Sequence, residues 1–256
     1  MTLTFFNGIK KQHQKYSILI DMKKHIVVLT GAGVSAESGF ATFRDTGGLW
    51  EQFDVMKVAS VEGWEADPAL VLDFYNQRRE QLRDAKPNAA HYAIAGLEKD
   101  YTVDVITQNV DNLHERAGST RVLHLHGELT KVRPDGGHYE RSGATDQIID
   151  IGYEKVVMGD LAPNGRQLRP HIVFFGEAVP NIEKAIDLVE QADILLIVGT
   201  SLQVYPAAGL YRYAQPGIPI YIIDPKDVPV HDSRITLIKD VATRGMQKFK
   251  EILAES

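Results

Sequence analysis

The chain has 256 residues, 44% of them hydrophobic and 24% charged, with a net charge of -6 and a pI near 5.8. This balance fits a globular protein with one main domain and a smaller insertion, and it lacks the basic footprint that direct nucleic-acid binding requires. There is no cysteine, which excludes disulfides, a thiol nucleophile and cysteine-ligated zinc or iron–sulfur centres, and no apolar run reaches membrane-spanning length.

Residues 1–24 read as an N-terminal extension. Their segment "MTLTFFNGIKKQHQKYSILID" lacks the layout of a signal peptide, so the expected compartment is the cytoplasm. The run "HIVVLT" (25–30) reads as a first strand, and "GAGVSAESGFATFRD" follows it. Gly31, Gly33 and Ala36 fit the G-x-G-x-x-G/A spacing of a dinucleotide loop. The glycines let backbone approach a pyrophosphate, and a helix starting near Ser35 would aim its amides at it. A hydride-transferring enzyme would continue to a second strand and an acidic ribose ligand about twenty residues on. Here the chain runs instead into Phe43, Arg44 and "GGLW", an aromatic cover and a guanidinium for phosphate, with no Walker lysine. Taken alone, the motif also fits an ordinary glycine turn.

Residues 45–85 read as mainly helical. In "DFYNQRR", Tyr75 and Arg78 are three apart on one helix face, a hydroxyl and a guanidinium fork suited to a carboxylate; a packed Tyr75 beside a solvated Arg78 is the plainer alternative. A helical stretch (88–99) leads to the strand "TVDVIT" (102–107). In "TQNVDNLHERAG", Gln108, Asn109 and Asp111 stand where that strand gives way to a helix at 110–117. They suit ribose hydroxyls, a carboxamide or a water, and Asn109 also suits a helix cap. Alternation in "RVLHLH" (121–126) puts His124 and His126 on one face. His126, nearest the carboxyl end, is the candidate proton acceptor, and His124 reads as structural.

The segment 131–169 is rich in Gly, Pro and charge. Beyond it, "HIVFF" (171–175), "ILLIVGT" (194–200) and "IPIYIID" (218–224) read as strands, with helices at 181–191 and 206–214. The fold class is α/β: a doubly wound, mostly parallel, Rossmann-like sheet with a smaller discontinuous lobe. The sheet domain is expected over 25–44, 86–130 and 170–256, and the lobe over 45–85 and 131–169. Loops rich in glycine and polar groups follow the strands, and ligands of open α/β sheets bind at that edge.

The ordered set "GAGVSAESGFATFRDTGGLW", "TQNVDN", "HLHGEL", "FFGE" and "GTSLQVYPAAG" resembles the sirtuins, NAD-dependent protein lysine deacylases. The resemblance implies that NAD is consumed by cleavage of its nicotinamide–ribose bond. The acyl oxygen of a bound lysine amide would attack the ribose, and O-acyl-ADP-ribose would be released. It implies NAD contacts from Gly31, Ala32, Gly33, Glu37, Phe43, Arg44, Trp50, Gln108, Asn109 and Asp111. On the adenosine side it adds Gly199, Thr200, Ser201, Asp224 and Ala242. It implies His126 as general base, with Asn109 and Asp111 beside it. The acyl-lysine protein substrate would lie as an added β-strand between Val173, Phe175 and Gly176 on one edge and Val204 on the other. Ala59, Tyr75 and Arg78 match the subgroup that removes succinyl, malonyl or glutaryl groups, with acetyl also accepted.

Two departures stand out. Most sirtuins bind a structural zinc through two cysteine pairs, and this chain has none. The lobe is therefore expected to fold without metal around Tyr139, Ile148, Ile149, Ile151 and Val156. The second is Ile222, where the family usually has an asparagine facing the adenosine ribose. The other readings are ADP-ribose transfer to protein or water, and a catalytically silent NAD-binding module.

Overall fold

The computed structural model describes residues 23–40, 53–136, 147–230 and 232–255. Its main sheet holds β1 (His25–Thr30), β2 (Thr102–Thr107), β3 (Val122–His124), β7 (Ile194–Val198), β8 (Ile220–Ile223) and β9 (Ile235–Ile238). All neighbours are parallel, in the order β3-β2-β1-β7-β8-β9. A parallel sheet is covered on both faces, so its strands are nearly continuous apolar runs. In β1, Ile26 and Val28 point into a cluster with α4 (Ala89–Gly96) and α7 (Ala242–Ala254). Val27 and Leu29 point the other way, into a cluster with α6 (Ile182–Glu190) and the 3-10 turns of 207–213.

The smaller lobe pairs helices with a second sheet. Three helices, α1 (Val55–Val58), α2 (Val61–Ala66) and α3 (Pro68–Asp84), share an apolar cluster with β4 (Gly127–Pro134) and β6 (Leu168–Ile172). An antiparallel sheet of order β5-β4-β6 includes β5 (Ile149–Asp150). Local chemistry sets the helix starts. Asp67 accepts from the Leu70 amide with Pro68 in the first turn of α3, and Ser60 accepts from the Gly63 amide at the start of α2. Ile149, Ile151 and Val156 join the lobe's apolar cluster and Ile148 does not; Tyr139 lies outside the described residues.

Several elements differ from the sequence reading. The turn after β1 is two short 3-10 segments, Ala32–Val34 and Ala36–Ser38, in place of a helix starting near Ser35. β3 stops at His124, because the chain leaves the parallel sheet after the Leu125 amide bonds the Thr107 carbonyl and enters β4 of the other sheet. "HIVFF" belongs to the small sheet only as far as Ile172; Phe175 then makes an isolated parallel bridge to Ser60. β4 and β6 straddle the boundaries expected at 130 and 170. The helix expected at 110–117 is α5 (Leu113–Ala117), and 206–214 is 3-10 over Ala207–Tyr213. β9 and α7 went unread.

Candidate active site

The strand order reverses between β1 and β7, and the loops leaving these two strands meet there. This is the switch point at which doubly wound sheets form a ligand crevice. Gly33 and Gly199 interlock across it. The Gly33 amide donates to the Gly199 carbonyl at 2.9 Å. A Cβ on Gly33 would stand 2.7 Å from the Gly199 Cα, and one on Gly199, whose φ is +63°, would stand 2.4 Å from the Val34 amide nitrogen. Only glycine on both sides allows this approach.

A buried hydrogen-bond network lines the crevice. The Asn109 side-chain amide donates to the Gly31 carbonyl (3.2 Å) and to Ser35 Oγ (3.1 Å), and Ser35 Oγ donates to the Asp111 carboxylate (2.9 Å). Asp111 also accepts from the Leu113 amide at 3.1 Å, and the N-cap position of α5 is Asn112, not Asn109. Burial pushes the Asp111 carboxyl above its ordinary range, against the Leu113 and Ser35 hydrogen bonds. Below lies a polar layer in which Thr30 Oγ1 donates to Thr107 Oγ1 (2.8 Å) and meets His114 Nε2 at 3.0 Å. Gln108 Nε2 donates to Thr200 Oγ1 at 3.1 Å, joining the loops after β2 and β7.

The two histidines of "HLHGEL" read two successive carbonyls. His126 Nδ1 lies 3.0 Å from the Gln108 carbonyl, and His124 Nδ1 lies 3.0 Å from that of Asn109. A carbonyl only accepts, so each Nδ1 carries the proton. In His126 this leaves Nε2 as the lone-pair nitrogen, and burial holds the imidazole below its ordinary pKa, against the Gln108 hydrogen bond. His124 differs because its Nε2 lies 2.8 Å from the Glu115 carboxylate. Both of its nitrogens face acceptors, which requires an imidazolium. Burial alone would lower its pKa, but the Glu115 hydrogen bond and charge outweigh burial and raise it.

In the small lobe Tyr75 and Arg78 belong to a buried aromatic and cationic cluster. The Tyr75 ring stacks on Phe174 at 5.9 Å, and the Arg78 guanidinium lies 3.9 Å over the Phe40 ring and donates to Gln81 at 3.3 Å. Arg78 is 5% exposed, so the solvated reading of this side chain does not hold. Burial lowers its pKa to about 10 and pushes the Tyr75 hydroxyl up. Ala59 is buried nearby, and its carbonyl accepts from the Phe175 amide at 2.8 Å. Behind Phe174, Glu177 accepts from Arg169 (2.8 Å), Arg133 (3.0 Å) and the Phe174 amide (2.8 Å). The Arg169 guanidinium sits 3.9 Å over the Phe174 ring. Phe175 and Val204 are exposed apolar side chains.

Among the sequence-predicted residues, Gly31, Ala32, Gly33, Gln108, Asn109, Asp111, His126, Gly199, Thr200 and Ser201 belong to the loops of the crevice. Glu37 accepts from the Thr243 amide (3.2 Å) and hydroxyl (2.9 Å) on the first turn of α7, which brings it beside Ala242. Asp224 follows β8 and accepts from the Lys226 amide at 2.8 Å. Ile222 is 1% exposed and packs into the apolar cluster beneath the sheet. Phe43, Arg44 and Trp50 lie outside the described residues. The sequence reading missed Ser35 as a hydrogen-bonding side chain, His91, His114 and the Arg133–Arg169–Glu177 cluster. Among the described residues, no group of three His, Asp or Glu could hold a metal ion, and no helix is long and apolar enough to cross a membrane.

A crevice at the switch point of a parallel sheet, flanked by a small lobe, defines a nucleotide-type α/β protein. A family model described as the Sir2 family matches residues 31–206, and the chain belongs to that family. It is 55% identical over 235 residues to an NAD-dependent protein deacylase of Bacteroides thetaiotaomicron, covering 90% of this chain and 98% of that one. A Helicobacter pylori protein of the same description is 53% identical over 234 residues, covering 91% and 98%. Among solved structures, a Sir2 homologue–NAD complex is 36% identical with a TM-score of 0.78, covering 94% of each chain. A Sir2 mutant with p53 peptide and NAD is 27% identical with a TM-score of 0.71, covering 95% and 99%.

Proposed function

We propose that the protein is an NAD-dependent protein lysine deacylase that moves the acyl group of a modified lysine onto ADP-ribose, releasing nicotinamide. The observation that carries this reading is the His126 tautomer. Its Nδ1–H is committed to the Gln108 carbonyl, so Nε2 is an unprotonated base at the mouth of the switch-point crevice. The donor set fits NAD: a glycine turn free of side chains for the pyrophosphate, and amide, hydroxyl and carboxylate groups on Gln108, Asn109, Ser35 and Asp111 for the nicotinamide ribose. When bound, NAD supplies an electrophilic ribose carbon with a leaving base and neighbouring hydroxyls. Within this reading Asn109, Ser35 and Asp111 fix a ribose or a water, and His126 Nε2 takes the hydroxyl proton so that the oxygen can attack the acyl carbon. Phe43, Arg44, Trp50, Glu37, Asp224 and Ala242 complete the proposed NAD contacts.

The acyl-lysine segment is proposed to enter as a strand between Val173–Gly176 and Val204. The Val173 carbonyl and the Gly176 amide make no hydrogen bond to a described residue, which leaves backbone groups for an added strand. The preferred acyl groups are acidic. Tyr75 and Arg78 are both buried, and within this reading the hydroxyl and the guanidinium together hold a distal carboxylate. Incubation of NAD with succinyl-, acetyl- and unmodified lysine peptides, read by mass spectrometry, tests both parts. The expected products are free lysine and O-acyl-ADP-ribose from the acylated peptides only. ADP-ribosylated peptide, or ADP-ribose formed without peptide, would support transfer or hydrolysis instead. An Arg78→Met enzyme that keeps the wild-type ratio of succinyl to acetyl turnover would remove the carboxylate clamp.

A further inference from the structure

Arg79 is fully buried and has no carboxylate partner among the described residues. Its Nε donates to the Glu154 carbonyl (3.0 Å), Nη1 to the Leu129 carbonyl (3.4 Å) and Nη2 to the Asn76 side-chain oxygen (2.7 Å). These neutral acceptors satisfy donors without cancelling the charge. Burying an unpaired cation costs several kcal/mol, whereas a neutral donor would hold the same carbonyls more cheaply. The position of the charge gives it a use. On α3, Arg78 and Arg79 lie three and four residues beyond Tyr75, so at 100° per residue they flank it on opposite sides. The other buried cation near Tyr75, Arg169, is paired with Glu177 at 2.8 Å.

We propose that Arg79 is a specificity-determining residue that never touches the substrate: its uncompensated charge behind Tyr75 makes the acyl pocket electropositive and favours anionic acyl groups over neutral ones. This rests on the acidic-acyl reading of the Tyr75–Arg78 pocket. Two unit charges at a separation of about 10 Å, with an effective dielectric near 20, interact strongly enough to change relative binding on the order of tenfold. Bulk salt screens the Arg79 charge little, because it is buried.

The test measures kcat/KM for a succinyl-lysine and an acetyl-lysine peptide at pH 8. Asn76→Asp puts a carboxylate where the Asn76 oxygen now meets Arg79, neutralising the charge and keeping the guanidinium's ties, while giving up the Asn76 Nδ2 hydrogen bond to the Val156 carbonyl, so folding is verified by calorimetry alongside the kinetics. The expected result is a fall in the succinyl-to-acetyl ratio on the order of tenfold, with acetyl turnover within about twofold of wild type. Arg79→Gln is expected to lower the ratio similarly, and Arg79→Lys, which keeps the charge, to retain most of it. A ratio in Asn76→Asp within about twofold of wild type, or an equal loss on both substrates, overturns the proposal even if Arg79→Gln does not fold. Arg78→Met separates this from the underlying reading. If that variant loses the ratio and Asn76→Asp does not, only the Arg79 role fails; if it does not, the acidic pocket itself fails.

Discussion

Replacing Glu177 by glutamine tests how the small lobe holds the segment proposed to receive substrate. The Glu177 side chain is 4% exposed, Arg169 5% and Arg133 21%. Removing the carboxylate charge leaves Arg169 as a buried cation without its counterion, while Arg133 can turn toward solvent. Breaking one partner out of a buried pair costs about 3–5 kcal/mol. Glutamine keeps one acceptor oxygen, so the lower end of that range, about 3 kcal/mol, is expected. For a chain of this size each kcal/mol shifts Tm by about 2–4 °C, which gives a fall of roughly 6–12 °C by calorimetry. The same substitution weakens the 2.8 Å hydrogen bond that holds the Phe174 amide. KM for acyl peptide should therefore rise several-fold, with a smaller change in kcat. A Tm within about 2 °C of wild type would refute the description of Glu177 as the counterion of a buried cluster.

Gly199→Ala should lose about 2–5 kcal/mol, from positive φ and from contact with the backbone at Val34 and Gly33. NAD binding by calorimetry should fall with it, and an unchanged affinity would contradict the interlocked turn. Acid should destabilise the fold through histidines kept neutral by burial, His91 and His171 with pKa values of about 4. Their stability is fully present above an unfolded pKa near 6.5 and is lost as pH falls toward 4, with His91 contributing about 3 kcal/mol. Urea unfolding at pH 7.5 and 5 reads this, and a flat response would contradict it. The depressed His126 pKa likewise predicts an acid limb of kcat/KM below pH 6.5; a limb well above 7 would point to a different base.

Much of this architecture was legible in the sequence, for physical reasons. "HIVVLT" and "TVDVIT" are buried on both faces and flanked by turn residues, so their apolar runs mark β1 and β2 at the observed bounds. "RVLHLH" ran past its strand because alternation continues through Leu125 while the chain changes sheets. The i, i+3 spacing brought Tyr75 and Arg78 forward. Arg79 stayed hidden, since its burial depends on Leu129 and Glu154, far away in sequence. Ser35, His91 and His114 were invisible for the same reason: a polar residue reads as solvated or capping until its distant partners are known.

The central claim is that His126 Nε2 is the base that lets a ribose hydroxyl take the acyl group. The most direct measurement is product formation from NAD and an acylated lysine peptide by wild type and His126→Ala, with NAD binding and folding verified in both. O-acyl-ADP-ribose from the wild type and a loss of at least about a hundredfold in the variant are predicted. Turnover in His126→Ala within a few-fold of wild type would contradict the account.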